Sequence, residues 1–496
     1  MNTFGKPINR FIAILAEQVN ANKWLAEKLN TNQTTFYCLY INDIQSSKDT
    51  FVAISKHLSI DVKKPVNQKK NKTGMETQKK NRSFEEISVS PEWCFKNVRS
   101  TEQWTHGYHR YPAKFLPNIV KKIIEDYTLP TDLVVDFFAG CGTTLVEAKI
   151  HGRNSIGVDI NPVAELITKA KTNPIEPKIL ETSFQNLINI FDDFDPNDYS
   201  EISLHERIDY WFSLKHKYII AFLYEKILAL DDKKVKDFFL VSLSHILKNC
   251  SKWLQSSTKP QIDPIKNPVN PFTAFIAHTK QMIKKNNDFY NQLKNDDNLL
   301  TQCEIRLEDA RKTSLLSNSV GAIITSPPYV TSYEYADIHQ LTAYWYEYII
   351  DLPRFRKKFI GTFYSLNQET KVDSELGQQI VNQLLEKDER KAKEVANYFK
   401  DMQDVAAEMH RVLKVDGHAC LVIGNTTFLG VKVKSAEVFA EILESLGFNL
   451  SKVIKRSIPN KLIPTIRDKK TGQFSKLENK NSMQVYPEEY ILIAKK

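Results

Sequence analysis

The chain has 496 residues, of which 42% are hydrophobic and 26% charged, and carries a net charge of +9. The length predicts a large domain plus an accessory one, and the composition is that of a soluble globular protein. No charge-free apolar run approaches the ~18 residues of a bilayer span, and the opening Met-Asn-Thr-Phe-Gly-Lys does not read as a signal peptide. The cytoplasm is the expected compartment. Cys38, Cys94, Cys141, Cys250, Cys303 and Cys420 lie far apart with no Cys-x-x-Cys, so neither a zinc site nor a disulfide framework is expected. Residues 1–83 hold 14 Lys/Arg against 6 Asp/Glu. A basic region on a nearly neutral body predicts an appended binder of polyanions.

Residues 1–66 read as a small all-α domain. Ile8, Phe11, Ile12 and Leu15 recur at helical spacing, Trp24, Leu25 and Leu29 mark a second helix, and Asn30-Thr31-Asn32 is a break able to cap a further helix. A third helix over 33–41, a turn over 42–47 and a fourth helix over 48–58 complete the run. Through Leu25 to Leu29 and Ala53 to Leu58 it resembles the lambda-repressor-like helix-turn-helix family, with Asn30 and Phe36 as departures. The resemblance implies that Asn32, Gln33, Thr34 and Tyr37 face base edges in the major groove, with Gln33 suited to adenine. A dimerisation or docking module is the alternative. Residues 67–83, rich in Lys and poor in apolar side chains, read as a flexible linker.

Residues 84–177 begin the large domain, where Leu133 to Phe138 predicts a buried strand. Ala139-Gly140-Cys141-Gly142-Thr143-Thr144 then predicts a glycine turn opening a helix, whose free N–H groups suit a nucleotide-like ligand. A second strand, Ser155 to Val158, ends at Asp159-Ile160, an acid placed for ribose hydroxyls. A dinucleotide site would carry a third glycine, which is missing. Asp136, Phe137, Ala139, Gly140, Gly142 and Thr143 are instead similar to motif I of the S-adenosylmethionine-dependent methyltransferases, and Asp159 and Ile160 to motif II. Upstream, the run from Thr105 to Phe115 resembles motif X, which places Phe115 near the methionine end of the cofactor. His106 and His109 have no further ligands nearby in sequence, and no metal is expected there.

Residues 178–302 read as an inserted helical lobe, too long to be a loop between two strands of one sheet. Its Lys248, Lys252, Lys259 and Lys266 are candidate phosphate contacts for a clamp on DNA, or solvated charges on a structural cap.

In residues 303–496 a strand from Cys303 leads to Asp309 and Ala310, which resemble motif III, whose carboxylate accepts the cofactor's adenine amine. Gly321 to Tyr329 reads Gly-Ala-Ile-Ile-Thr-Ser-Pro-Pro-Tyr, a short buried strand broken by two prolines. Ser326, Pro327, Pro328 and Tyr329 would project from the carboxyl edge of the sheet, offering a hydroxyl, a stiff carbonyl and an aromatic face to a planar base bearing an amine. The motif resembles motif IV of the DNA amino-methyltransferases, which methylate N4 of cytosine or N6 of adenine. Tyr333 is a weaker candidate for the base pocket. Lys371 to Lys400 predicts a charged helix, Ala407 to Leu413 a helix, Ala419 to Ile423 a strand, 435–446 a helix and Tyr490 to Ala494 a last strand.

The family resemblance covers 92–175 and 303–496 and implies a Rossmann-like α/β methyltransferase sheet with a helical insert, S-adenosylmethionine as cofactor and double-stranded DNA as substrate. Ser before Pro-Pro-Tyr, in place of Asp or Asn, favours cytosine N4 in that family, within a restriction-modification system that could include a cognate endonuclease. Adenine N6, an RNA base, or a DNA-binding transcriptional regulator acting through residues 1–66 stay open as alternatives.

Overall fold

A computed structural model describes residues 83–98, 100–330, 335–362, 370–458, 466–468, 478, 482–484 and 488–496. The expected helix-turn-helix, the residues Asn32, Gln33, Thr34 and Tyr37 expected to face bases, the expected linker up to 82 and Tyr333 all lie outside the described residues. The described residues belong to one unit, Arg82–Lys496.

In chain order the unit opens with α1 (Pro117–Tyr127), β1 (Val134–Asp136), α2 (Thr143–Ile150), β2 (Ser155–Asp159) and α3 (Pro162–Thr172). The insert supplies α4 (Pro177–Asn189), α5 (Glu206–Trp211), α6 (Leu214–Leu228), α7 (Lys233–Cys250) and α8 (Pro271–Asn295). Next come β3 (Cys303–Leu307), β4 (Val320–Thr325), α9 (Tyr335–Ile338), α10 (Gln340–Trp345), α11 (Leu352–Arg356), α12 (Glu375–Leu385) and α13 (Glu389–Val412). The chain then forms β5 (Leu413–Ile423), a hairpin of β6 (Thr426–Phe428) and β7 (Val431–Val433), α14 (Ser435–Ser445) and β8 (Asn449–Ser457). A small ribbon of β9 (Ile466–Asp468) and β10 (Ser482–Gln484) precedes β11 (Glu488–Lys495).

Seven strands form one sheet in the order β3-β2-β1-β4-β5-β11-β8. The first five pair in parallel, while β11 runs antiparallel between β5 and β8. The order reverses between β1 and β4, so their carboxyl ends form the switch point at which such sheets bind ligands. Side chains alternate between faces as strand geometry requires. Val135, Ile323, Leu421 and Leu492 pack with α12, α13 and α14, whereas Val134, Ile324, Cys420 and Ile491 pack with α1. The result is the expected α/β class, with helices on both faces.

Two departures from the sequence reading have clear causes. The charged stretch around 371–400 is two helices because the Asp388 carboxylate accepts the Lys391 N–H at 3.0 Å and caps a new start. Strand β8 has no counterpart among the expected strands. It is an edge strand in which Asn449, Ser451, Lys452, Lys455 and Arg456 interrupt the apolar residues, so its sequence lacks the apolar run that reveals a central strand. The helical insert packs onto the rest of the unit. Phe222, Phe238, Phe239 and Phe275 share one core with Ile167 of α3 and with Leu341, Trp345 and Phe355.

Candidate active site

Asp136, at the end of β1, is 2% exposed. It accepts the hydroxyl hydrogens of Thr144 and Thr325 at 2.6 Å each, and the Phe138 N–H at 3.0 Å. Burial pushes its carboxyl above the usual range, and the three donors partly offset this. The carboxylate therefore ties the first turn of α2 to the end of β4 and fixes the mouth of the crevice. The Phe137 side chain is wholly buried in the core, and Ala139 packs against Leu145 and Ile305.

The glycine turn forms the crevice wall. Gly140 has φ +51° and Gly142 φ +76°, the left-handed region that favours glycine. A Cβ on Gly142 would stand 2.8 Å from the Thr168 side chain, and one on Gly140 would meet the Tyr111 ring at 3.4 Å. Thr143 then opens α2. Asp159 accepts the Gly140 N–H at 2.8 Å and the Asn161 N–H at 2.9 Å, so it shapes the turn while keeping lone pairs to spare. Burial pushes its carboxyl up to about 6. Half-buried Ile160 follows. Gly140, Gly142, Thr143, Asp159 and Ile160 are thus brought together, and half-buried Phe115 packs against the core cluster that holds Ile324 and Val422.

Asp309 is engaged. Its oxygens accept from the Arg311 backbone N–H at 2.9 Å and from the guanidinium at 2.7–3.2 Å, and Arg311 also reaches Asp401 at 2.8 Å. Burial raises the Asp309 carboxyl, but these contacts outweigh it and hold the group below the usual range. Ala310 is buried, and Glu308 accepts from the Ser314 N–H and hydroxyl at 2.9 and 2.5 Å.

Past β4 the Ser-Pro-Pro-Tyr segment is anchored at each step. The Ser326 hydroxyl donates to the Val422 carbonyl at 3.1 Å, and the Tyr398 hydroxyl donates to the Pro328 carbonyl at 2.8 Å. The Tyr329 hydroxyl donates to Glu489 at 2.9 Å. Glu489 also pairs with Arg456, whose Nε donates to the Trp93 carbonyl at 2.7 Å. A Cβ on Gly424 would come within 2.8 Å of the Tyr329 ring. Burial and Glu489 push the Tyr329 phenol up, so the ring stays neutral.

His339, just before α10, is tied to the acid loop. The Asn161 Oδ1 accepts the Val163 N–H at 3.0 Å, which leaves its amide N–H to donate to His339 Nδ1 at 3.0 Å. Burial lowers His339 to about 4, so the imidazole is neutral. The Tyr111 ring lies 4.9 Å from His339 and stacks on Tyr335 at 5.9 Å. None of Tyr398, Gly424, Arg456 and Glu489 was expected in the site. Each meets its partner across dozens of residues or more, and no local pattern signals such a pairing. Among the described residues no group of His, Cys, Asp or Glu is arranged to hold a metal, and no helix is long and apolar enough to cross a membrane.

A family model described as DNA methylase matches residues 1–170 and 320–496. The unmatched middle holds α4 to α8 and β3. Type II methyltransferase M.MvaI of Kocuria varians is 28% identical over 400 residues, covering 74% of this chain and 87% of its own. Type II methyltransferase M.MjaII of Methanocaldococcus jannaschii is 22% identical over 447 residues, covering 72% and 77%. A solved methyltransferase from Methanosarcina mazei overlaps 78% of this chain at 9% identity and a TM-score of 0.26, too low to equate the two folds.

Proposed function

The chain belongs to the DNA methylase family, and from that premise we propose that it methylates the exocyclic N4 of cytosine within a specific double-stranded DNA sequence. The cofactor is S-adenosylmethionine. The crevice suits it, because the left-handed glycines let a ligand approach the backbone and Asp159 retains lone pairs for ribose hydroxyls. Gly140, Gly142, Thr143, Asp159 and Ile160 would hold it. When bound, this cofactor supplies an electrophilic methyl group on a positively charged sulfur.

One observation carries the reading. Ser326 spends its only hydrogen on Val422, so its oxygen faces a ligand purely as an acceptor, beside the Pro327 carbonyl. Two neighbouring acceptors match the two hydrogens of an exocyclic amine. They orient the amine and draw its lone pair out of conjugation with the ring, while Tyr329, held by Glu489 and Gly424, offers a stacking face for a base extruded from the duplex. Positioning and fixed dipoles supply the rate. The attacking atom is the base's own nitrogen, so no thiolate adduct is required. Cytosine over adenine rests on the serine at 326, and the Type II relatives support a role in restriction-modification. Residues 1–66 would add regulation of the protein's own promoter, tested by deleting 1–83 and assaying operator binding and methylation separately.

The test is mass spectrometry of nucleosides from DNA incubated with the protein and S-adenosylmethionine, beside a Ser326→Ala control. N4-methylcytosine that disappears in the variant is the expected result. N6-methyladenine would overturn the base assignment alone, and neither product on diverse DNA would overturn the proposed reaction.

A further inference from the structure

Between α7 and α8 the chain makes a braced hairpin over 251–269. Trp253, 2% exposed, stacks on Trp211 at 5.2 Å, and its indole donates to the Ser257 carbonyl at 3.2 Å. Trp253 and Ile262 form an antiparallel bridge, closed by Leu254 N–H to the Gln261 carbonyl at 2.8 Å and Asp263 N–H to the Lys252 carbonyl at 2.9 Å. Two lysines expected to meet phosphates turn inward to hold the loop. Lys248 donates to the Gln255 and Ser257 carbonyls at 3.1 and 2.7 Å, and Lys266 to the Lys248 and Trp253 carbonyls at 2.7 Å each. Pro260, Pro264 and Pro268 fix φ along the same stretch. A loop this stiff loses little entropy on binding.

What it presents outward is basic and apolar. Lys252 and Lys259 are exposed, and Ile265, between Pro264 and Lys266, is 91% exposed. A lone exposed aliphatic residue is ordinary, and Leu300 is equally bare, but Leu300 follows Asp296 and Asp297. Asp263 is the one acid in the hairpin, and its carboxylate is turned to the Ile265 N–H at 3.2 Å. The hairpin leaves the end of α7, and α7 itself reaches the crevice wall. His245, one turn before Lys248 on α7, accepts the Arg110 N–H at 3.2 Å, and the next residue, Tyr111, covers Gly140.

Resting on the reading of the protein as a DNA methyltransferase, we propose that this hairpin is a DNA-engaging finger. Lys252 and Lys259 contact backbone phosphates, and Ile265 presses into the duplex beside the extruded base. Apolar side chains that enter a base stack weaken it at the step they touch, and the base so loosened costs less to extrude.

The test uses the full chain with Ile265→Ala and with the double variant Lys252→Ala/Lys259→Ala. Duplex binding is followed by fluorescence anisotropy between 50 and 200 mM salt (about the range over which phosphate contacts dominate). Methyl transfer is measured on a duplex holding the mapped site, either fully paired or mismatched opposite the target. The lysine variant is expected to lower the slope of log affinity against log salt by about two. Ile265→Ala is expected to slow transfer roughly tenfold on the paired duplex and far less on the mismatched one, whose target base is already loose. Unchanged S-adenosylmethionine affinity in both variants reports an intact fold. A wild-type salt slope in the lysine variant overturns the finger, and so does an equal loss on both duplexes, or no loss, for Ile265→Ala. Absence of any methyl transfer by the wild-type protein overturns the parent reading instead, and the salt slopes still decide whether the hairpin binds duplex.

Discussion

Ser326 gives its single hydroxyl hydrogen to the carbonyl of Val422, 3.1 Å away on the neighbouring strand. The β4–β5 register, with Ile324 opposite Cys420 and Thr325 opposite Leu421, brings that carbonyl to the serine. A hydroxyl so committed can only accept from a ligand. Ser326→Ala removes the acceptor without disturbing the sheet. Methyl transfer is expected to fall by about 10²-fold, comparable to losing one fixed polar contact at a reacting centre. Calorimetric titration with S-adenosylmethionine should give an unchanged Kd, and a weakened one would place Ser326 in cofactor binding.

Gly424→Ala probes the seat of Tyr329. The new methyl would stand 2.8 Å from the ring, and the phenol hydroxyl is tethered to Glu489, so the ring must tilt out of place. Steady-state kinetics should show kcat on duplex DNA lowered about tenfold, with cofactor affinity kept, since misplacement well under 1 Å already erodes alignment. An unaffected kcat would mean that the ring face takes no part in holding the base.

Cofactor affinity should depend on pH through Asp159. Its folded carboxyl sits near 6, above the usual 3.8, because burial disfavours the charge. Above that value the carboxylate accepts hydrogens from ribose hydroxyls; below it the protonated group loses acceptor capacity. Kd for S-adenosylmethionine is expected to be flat above pH 7 and to rise about tenfold by pH 5, one unit below the midpoint. Asp159→Asn should bind more weakly and without this dependence. For folding the sign is opposite, since a raised carboxyl contributes stability below its unfolded value and loses it as pH rises through 6.

Behind the glycine turn, His106 and Glu147 form a buried pair at 2.8 Å. Burial, with Lys171 nearby, lowers the imidazole well below its usual range, and burial pushes the Glu147 carboxyl up to about 8. At neutral pH both are uncharged, with the carboxyl hydrogen donated to His106. A raised carboxyl loses its stabilising contribution as pH climbs through its folded value, so the wild-type protein should lose about 1 kcal/mol of stability between pH 7 and 9. Urea unfolding of Glu147→Gln should show a flatter profile over that range. Equal slopes would indicate an ionised pair instead.

Much of the fold could be read from local sequence because parallel central strands are buried on both faces. They appear as unbroken apolar runs such as Leu133 to Phe138, and the Gly140–Gly142 turn needs backbone angles that few other residues adopt. The α/β class and the order of the ligand-bearing turns follow from that spacing. Tertiary packing decided which atoms remain free to act. Asp136 is consumed by Thr144 and Thr325, Asp309 by Arg311, and Lys248 and Lys266 by loop carbonyls, whereas Ser326 becomes an acceptor through Val422. Tyr329 is held by Glu489, 160 residues away. Polar side chains take whichever partners folding brings within about 3 Å, and those partners are fixed by strand register and helix packing across the whole chain.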